Sequence, residues 1–191
     1  MYPLLRFASG MIQARKQRPL TPFEPHVSTH RCWPWDLDPW IELNNGRTLT
    51  LYDLGRLPMA LRTGMIRVMR ENGWNITVAG NTVRYRQRIR AMQRFTMVSR
   101  LHGWDGRFFY MDQSIWSKGT CANQMLLRGA ITSPGGIVPP GRLFEVAGLS
   151  PDSPPLPEWV AAWIAADALR PWPPELPPIP ADERTPDLPR G

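Results

Sequence analysis

The stretch WPWDLDPWIELNNGR, residues 33–47, decides how this chain folds. Two acids, Asp36 and Asp38, stand among Trp33, Trp35 and Trp40, and Asn44-Asn45-Gly46 leads out of the segment. Asparagines ahead of a periodic apolar run mark a helix start. Leu49, Tyr52, Leu57, Leu61, Met65 and Val68 recur at spacings of three to five, which predicts a helix from Gly46 to Asn72. Pro58 is expected to kink or split it, because its ring clashes with the preceding turn. Gly73 suits its carboxyl end. The acids have two readings. In one, Asp36 or Asp38 caps a turn and Asn44 or Asn45 caps the helix. In the other, a carboxylate against indole rings loses hydration and gains basicity unless donors compensate. It then stands beside backbone N–H groups that carry a positive partial charge and can hold a developing oxyanion.

Working outward, HVSTHRCWPW upstream reads as a strand. Downstream, WNITVAGNTVRYRQRIR, QRFTMVSRLHGWDGRFFYMDQSIWS and CANQMLLRGAITS are rich in β-branched and aromatic residues. Asp105-Gly106 is expected at a hairpin tip, with a second break near Lys118 and Gly119. Strand, long helix, then three or four antiparallel strands is an α+β order: a sheet with one long helix on its face. If residues 82–91 form one strand, Arg84, Arg86, Arg88 and Arg90 share a face and span about 20 Å at roughly 3.3 Å per residue. That face is either a solvated exterior or a phosphate-binding row, since guanidinium binds phosphate in a bidentate fork.

The ends differ in character. Residues 1–23 are expected to form an amphipathic arm. It packs on its own domain or a partner subunit, or it lies on a membrane surface with Arg6, Arg15, Lys16 and Arg18 on its polar side, or it is disordered. Residues 24–135 form the main domain, and 136–170 a helical extension with a helix at Glu158–Leu169. Residues 171–191 are a proline-rich tail, unable to form ladders or helices. The chain has 191 residues, 22 prolines and a net charge of +7. No run approaches the roughly 20 apolar residues that span a bilayer, and the amino terminus has the reverse of a secretory signal's charge order. Two cysteines, Cys32 and Cys121, read as free thiols in a reducing cytoplasm. Three scattered histidines give no metal spacing. The positive charge points to an anionic partner; no nucleic-acid motif accompanies it.

The pattern Asp38-Pro39-x-x-x-x-Asn44-Asn45, followed by Gly46-Arg47 and a helix with Tyr52 and Asp53, resembles the hotdog-fold acyl-CoA thioesterases. It is most similar to the 4-hydroxybenzoyl-CoA thioesterase-like branch, with its D-x-x-x-H-x-N-N signature. Val83-Arg84-Tyr85-Arg86 resembles that branch's Y-R-R strand, and Trp104-Asp105-Gly106-Arg107-Phe108-Phe109 its W-D hairpin. The likeness covers roughly residues 26–133. It implies a hotdog fold, an antiparallel sheet wrapped around one central helix, in a homodimer or dimer of dimers with the site at the subunit interface. It implies acyl-CoA as substrate and no cofactor or metal. Asp38 takes the role of nucleophile or general base, and a backbone N–H near Asn45 or Gly46 polarises the thioester carbonyl. Asn44 and Trp40 flank the substrate, and CoA phosphates rest on some of Arg84, Arg86, Arg88 and Arg90. Glu42 stands where the branch has histidine. It cannot supply an imidazole's donor–acceptor pair and reads as a second base or as a sign of a drifted pocket. Trp40 implies a narrow acyl pocket. The alternative is a scaffold or sensor that binds acyl-CoA or an acyl carrier without turnover.

Overall fold

The computed structural model of the protein describes residues 2–175. An amino-terminal helix, α1 (Leu4–Lys16), precedes strand β1 (His26–Arg31) and a single 3-10 turn, Pro34–Asp36. Then come α2 (Asn45–Arg62), α3 (Met65–Glu71), β2 (Asn75–Tyr85), β3 (Arg94–Trp104), β4 (Phe109–Ser117), β5 (Thr120–Ser133), β6 (Gly136–Val138) and α4 (Pro140–Val146). These lie in one compact unit that ends at Leu156, and helix α5 (Glu158–Ala168) belongs to a second. Most of the proline-rich tail, from residue 176, lies outside the described residues.

The strands form one antiparallel sheet in the order β1-β3-β4-β5-β2, with β6 added on β5. Its concave side holds α2, as the sequence pattern implied. Leu51, Tyr52, Leu54 and Met59 of the helix pack with Phe95, Met97, Met111, Ile115, Met125 and Leu127 of the sheet. Contact is closest at Gly55, where an added Cβ would lie 2.5 Å from Ser99 Oγ and 2.6 Å from Met97 Sδ. Gln113, wholly buried, donates to the Tyr52 carbonyl (2.9 Å) and to Ser99 Oγ (2.7 Å), so its amide gains partners in the dry interior.

Two local expectations change. The helix does not break at Pro58. The prolyl ring and the Leu54 carbonyl it leaves unbonded both face Gly10 of α1, at 3.8 and 4.0 Å from where a Cβ there would stand, and Pro58 is buried under that helix. The break falls instead at Gly64, in the left-handed region at φ +77°, which separates α2 from α3. Gly73 ends α3: its N–H bonds the Arg70 carbonyl and that of Trp74 bonds Met69, a Schellman closure. Finally, β2 stops at Tyr85. The N–H groups of Arg86 and Gln87 both donate to the Ala122 carbonyl, which ends the ladder. The four arginines therefore do not share one strand face; Arg84 alone is in β2.

The hairpins fall where they were read, but the tip of the first is Gly106-Arg107, because Asp105 N–H donates to the Phe108 carbonyl at 2.9 Å. Asp105 Oδ1 accepts from the N–H groups of Arg107 and Phe108, and Oδ2 from the Tyr110 hydroxyl at 2.5 Å. Lys118 (φ 52°) and Gly119 (φ 78°) form the two-residue turn between β4 and β5.

At one edge of the sheet, β1 brings in His26 and His30. Burial pushes both imidazoles down to about 4, assisted at His26 by Arg62 and at His30 by Arg6 and His26. The unfolded chain takes up these protons near 6.5, the folded chain only near 4. Stability is therefore complete above pH 6.5 and falls as the pH drops toward 4. At about 1.4 kcal/mol per pKa unit, the loss reaches a few kcal/mol. Urea midpoints at pH 7 and pH 4.5 are expected to differ, and less so in His26→Gln. A midpoint that does not move over this range overturns the assignment.

Candidate active site

Residues 33–47 fold back on themselves. Asn44 N–H donates to the Asp36 carbonyl (3.0 Å), Leu37 bridges Leu43, and Asp38 N–H donates to the Glu42 carbonyl (2.9 Å). Ile41, at φ 61°, turns the tip. The loop is tied to the sheet side by Leu43 N–H on the Ile89 carbonyl and by a bridge between Glu42 and Arg90.

The two aspartates have different environments. Asp36 is wholly buried. Its Oδ2 takes Arg6 Nη1 (2.6 Å) and Trp33 N–H (3.0 Å), and its Oδ1 takes Arg47 Nε (2.7 Å). Burial pushes its carboxyl up, but the Trp33 N–H and the two guanidiniums outweigh that and hold it below the ordinary carboxylate value. The gain in basicity expected beside indole rings is thus reversed by donors, one of them 30 residues upstream. Asp38 is half-buried. Its Oδ1 accepts from Trp40 N–H (2.9 Å) and Glu42 N–H (3.3 Å). Its Oδ2 has no hydrogen-bond partner among the described residues.

Asn44 caps α2, its Oδ1 accepting from Arg47 N–H at 2.9 Å. Asn45 and Gly46 are the first two helical residues, so their N–H groups have no intrahelical acceptor. Both residues are exposed, and their N–H groups have no acceptor among the described residues.

Two hollows flank this helix end. One, of about 240 Å³, is lined by Glu42, Asn45, Thr48, Tyr85, Arg86 and Arg88 among others. Glu42 Oε2 meets Arg88 Nε at 2.7 Å, an ion pair without hydrogen-bond alignment. Asn123, which lines this hollow, accepts through Oδ1 from the buried Tyr52 hydroxyl at 2.5 Å. The other is an open groove of about 1180 Å³ with Trp33, Trp35, Leu37, Asn44 and Gly46 along one side. Asp38 and Trp40 line neither, and Trp40 is 77% exposed, so it does not narrow a pocket here. Of the four arginines, Arg86 and Arg88 reach the smaller hollow; Arg84 and Arg90 do not line it.

Sequence reasoning missed Arg6, Thr48, Tyr85 and Asn123. No spacing rule links residues brought together by tertiary packing alone. Cys32 is buried, and burial with the nearby Asp36 pushes its thiol up to about 11, away from nucleophilic use. No group of three His, Cys, Asp or Glu residues among the described ones is placed to hold a metal ion. No helix among them is long and apolar enough to cross a membrane.

A family model described as the thioesterase-like superfamily matches residues 32–164. The chain belongs to that superfamily, and its curled antiparallel sheet on a central helix is a hotdog fold. Its sequence is similar to Protein THEM6 of Xenopus laevis, 36% identical over 80 residues, which is 42% of this chain and 39% of that one. It is also similar to Protein THEM6 of Danio rerio, 30% identical over 83 residues, 44% and 41% of the two chains. The matched part thus spans about two fifths of these curated relatives. Among solved structures, YbaW probable thioesterase from Escherichia coli aligns with TM-score 0.60 at 17% identity, over 64% of this chain and 96% of that one. DHNA-CoA thioesterase from Staphylococcus aureus aligns with TM-score 0.54 at 14% identity, over 76% and 92%. At these identities the structural likeness speaks for the fold.

Proposed function

We propose that the protein hydrolyses acyl-CoA thioesters at the amino-terminal end of α2, with Asp38 as general base. The observation that carries this reading is a half-open carboxylate in the same loop that leads into two open backbone donors. Asp38 Oδ1 is clamped by two N–H groups while Oδ2 has no partner among the described residues, and the Asn45 and Gly46 N–H groups lack acceptors within the helix. In this reading Oδ2 takes a proton from water, and the resulting hydroxide attacks the thioester carbon. The carbonyl electron pair moves to an oxygen held by the Asn45 or Gly46 N–H. Collapse breaks the C–S bond, and the departing thiolate takes the proton back from Asp38. The products are a carboxylic acid and the free thiol of CoA. Arg86 and Arg88 beside the smaller hollow suit the phosphates of CoA.

A second reading is favoured by one observation: Glu42, not Asp38, lines the hollow that contains Asn45. Glu42 then serves as the base, released from Arg88 when a phosphate claims the guanidinium. A thiol-release screen over short, long and aromatic acyl-CoAs tests both readings. Turnover lost in Asp38→Asn and kept in Glu42→Gln supports the first, and the converse supports the second. Acyl-CoA binding with no thiol release from any substrate overturns hydrolysis and leaves a binding scaffold.

The reading includes a pair of subunits. Strand β2 runs eleven residues at the sheet edge with Ile76, Val78 and Tyr85 exposed, and a long open edge pairs readily with another. Sedimentation velocity is expected to give a dimer at micromolar concentration; a monomer throughout overturns the pairing.

A further inference from the structure

The larger groove has a composition that folding alone does not explain. Helix α1 presents Leu4 at 67% exposure and Leu5 at 88% on one bank. On the other, Trp35 is 66% exposed and stacks on Trp33 at 5.1 Å between ring centroids, with the planes 2° apart. Exposing a leucine forgoes the stabilisation its burial would give, and a contiguous apolar patch of this kind marks a binding surface. Among the described residues, the sole carboxylate lining the groove is that of Asp36, and its charge is answered by Arg6 and Arg47.

The helix terminus beside the groove gives it meaning. Asn44 and Gly46 line the groove, while Asn45 between them lines the smaller hollow with Arg86 and Arg88. An apolar trough and a basic recess thus meet over three consecutive residues at one helix terminus. A thioester of CoA has the matching form: a hydrocarbon on one side of the carbonyl and a polyanion on the other.

Resting on the hydrolytic reading above, we propose that the groove between α1 and the stacked Trp33–Trp35 pair receives the hydrocarbon chain of a long-chain acyl thioester. The residues of α1 that form its bank precede the segment matched by the superfamily, residues 32–164. Chain-length preference is therefore a property of this chain's amino-terminal arm. Each methylene buried is worth about 0.8 kcal/mol, roughly fourfold in affinity, so even partial burial of a dodecyl chain is a large effect.

The test is calorimetric titration with CoA and with its non-hydrolysable dodecyl thioether, on the wild type, Leu5→Glu and Trp35→Ser. Both substituted side chains are mostly exposed, so the fold is expected to persist, as circular dichroism checks. The wild type is expected to bind the thioether at least 30-fold more tightly than CoA. Leu5→Glu is expected to cut that ratio to threefold or less while affinity for CoA itself stays constant. A wild-type ratio near one overturns the proposal, as does a ratio indifferent to both substitutions. An unchanged ratio with loss of a dimer assigns the groove to a second copy of the chain and also overturns it. So does an unchanged ratio with loss of sedimentation on phosphatidylserine vesicles, which assigns the groove to a lipid surface. Tight thioether binding without thiol release from acyl-CoA would refute hydrolysis and leave this assignment standing. Thiol release from acetyl-CoA with no chain-length preference would do the reverse.

Discussion

Asp38→Asn is expected to lower kcat for acyl-CoA hydrolysis by two to four orders of magnitude, the usual contribution of a positioned general base. The amide keeps an acceptor oxygen for Trp40 and Glu42 N–H, the two contacts that hold the present Oδ1. It cannot accept a proton from water at neutral pH. The loop should therefore retain its shape while the chemistry stops. KM is expected to move little, because neither hollow is lined by Asp38. Steady-state thiol release, with the urea midpoint measured alongside, checks both halves. Turnover within threefold of the wild type, in a preparation free of wild-type enzyme, removes Asp38 from the reaction.

Asp36→Ala is expected to be the most damaging single change to the fold, costing about 3–5 kcal/mol. The loss is not that of one contact. Arg6 and Arg47 are mostly buried, with side chains 18% and 15% exposed, and their guanidiniums would face each other without the carboxylate between them. The Trp33 N–H would lose its acceptor as well. Asp36→Asn keeps the shape and one acceptor oxygen but not the charge, and should fall between. Urea unfolding measures both. A loss under 1 kcal/mol for Asp36→Ala would mean that the two arginines reach solvent at little cost. Because Asp36 and Asp38 are two residues apart, the pair of variants also separates architecture from chemistry: the first is read in stability, the second in turnover.

The general layout was legible in residues 33–133 because periodicity and turn chemistry act locally. Asp105 sets one hairpin through its side chain and Lys118-Gly119 the other by backbone preference, and Asn44 capped the helix as asparagine commonly does. What was illegible depended on distant partners. Pro58 reads as a breaker because sequence does not reveal that α1 packs over it. The arginine row reads as one strand because alternation continues past Tyr85, whereas the paired N–H groups on Ala122 end the ladder there. Of the two acids, spacing alone did not separate the buried Asp36, held by Arg6 across 30 residues, from the accessible Asp38. The residues around the smaller hollow come from the loop, α2, the end of β2 and the segment after it, and β5. Only the folded chain assembles them.

The Asp36 carboxylate has a consequence for how the molecule opens. One of its cations arrives from α1 and the other from the first turn of α2. Detaching the amino-terminal arm would therefore strip one counter-ion from the sheltered acid and unsettle the Trp33–Gly46 segment with it. Amide protons of that segment should exchange with solvent in concert with those of the arm, as one unit of local opening, even though the two lie far apart along the chain.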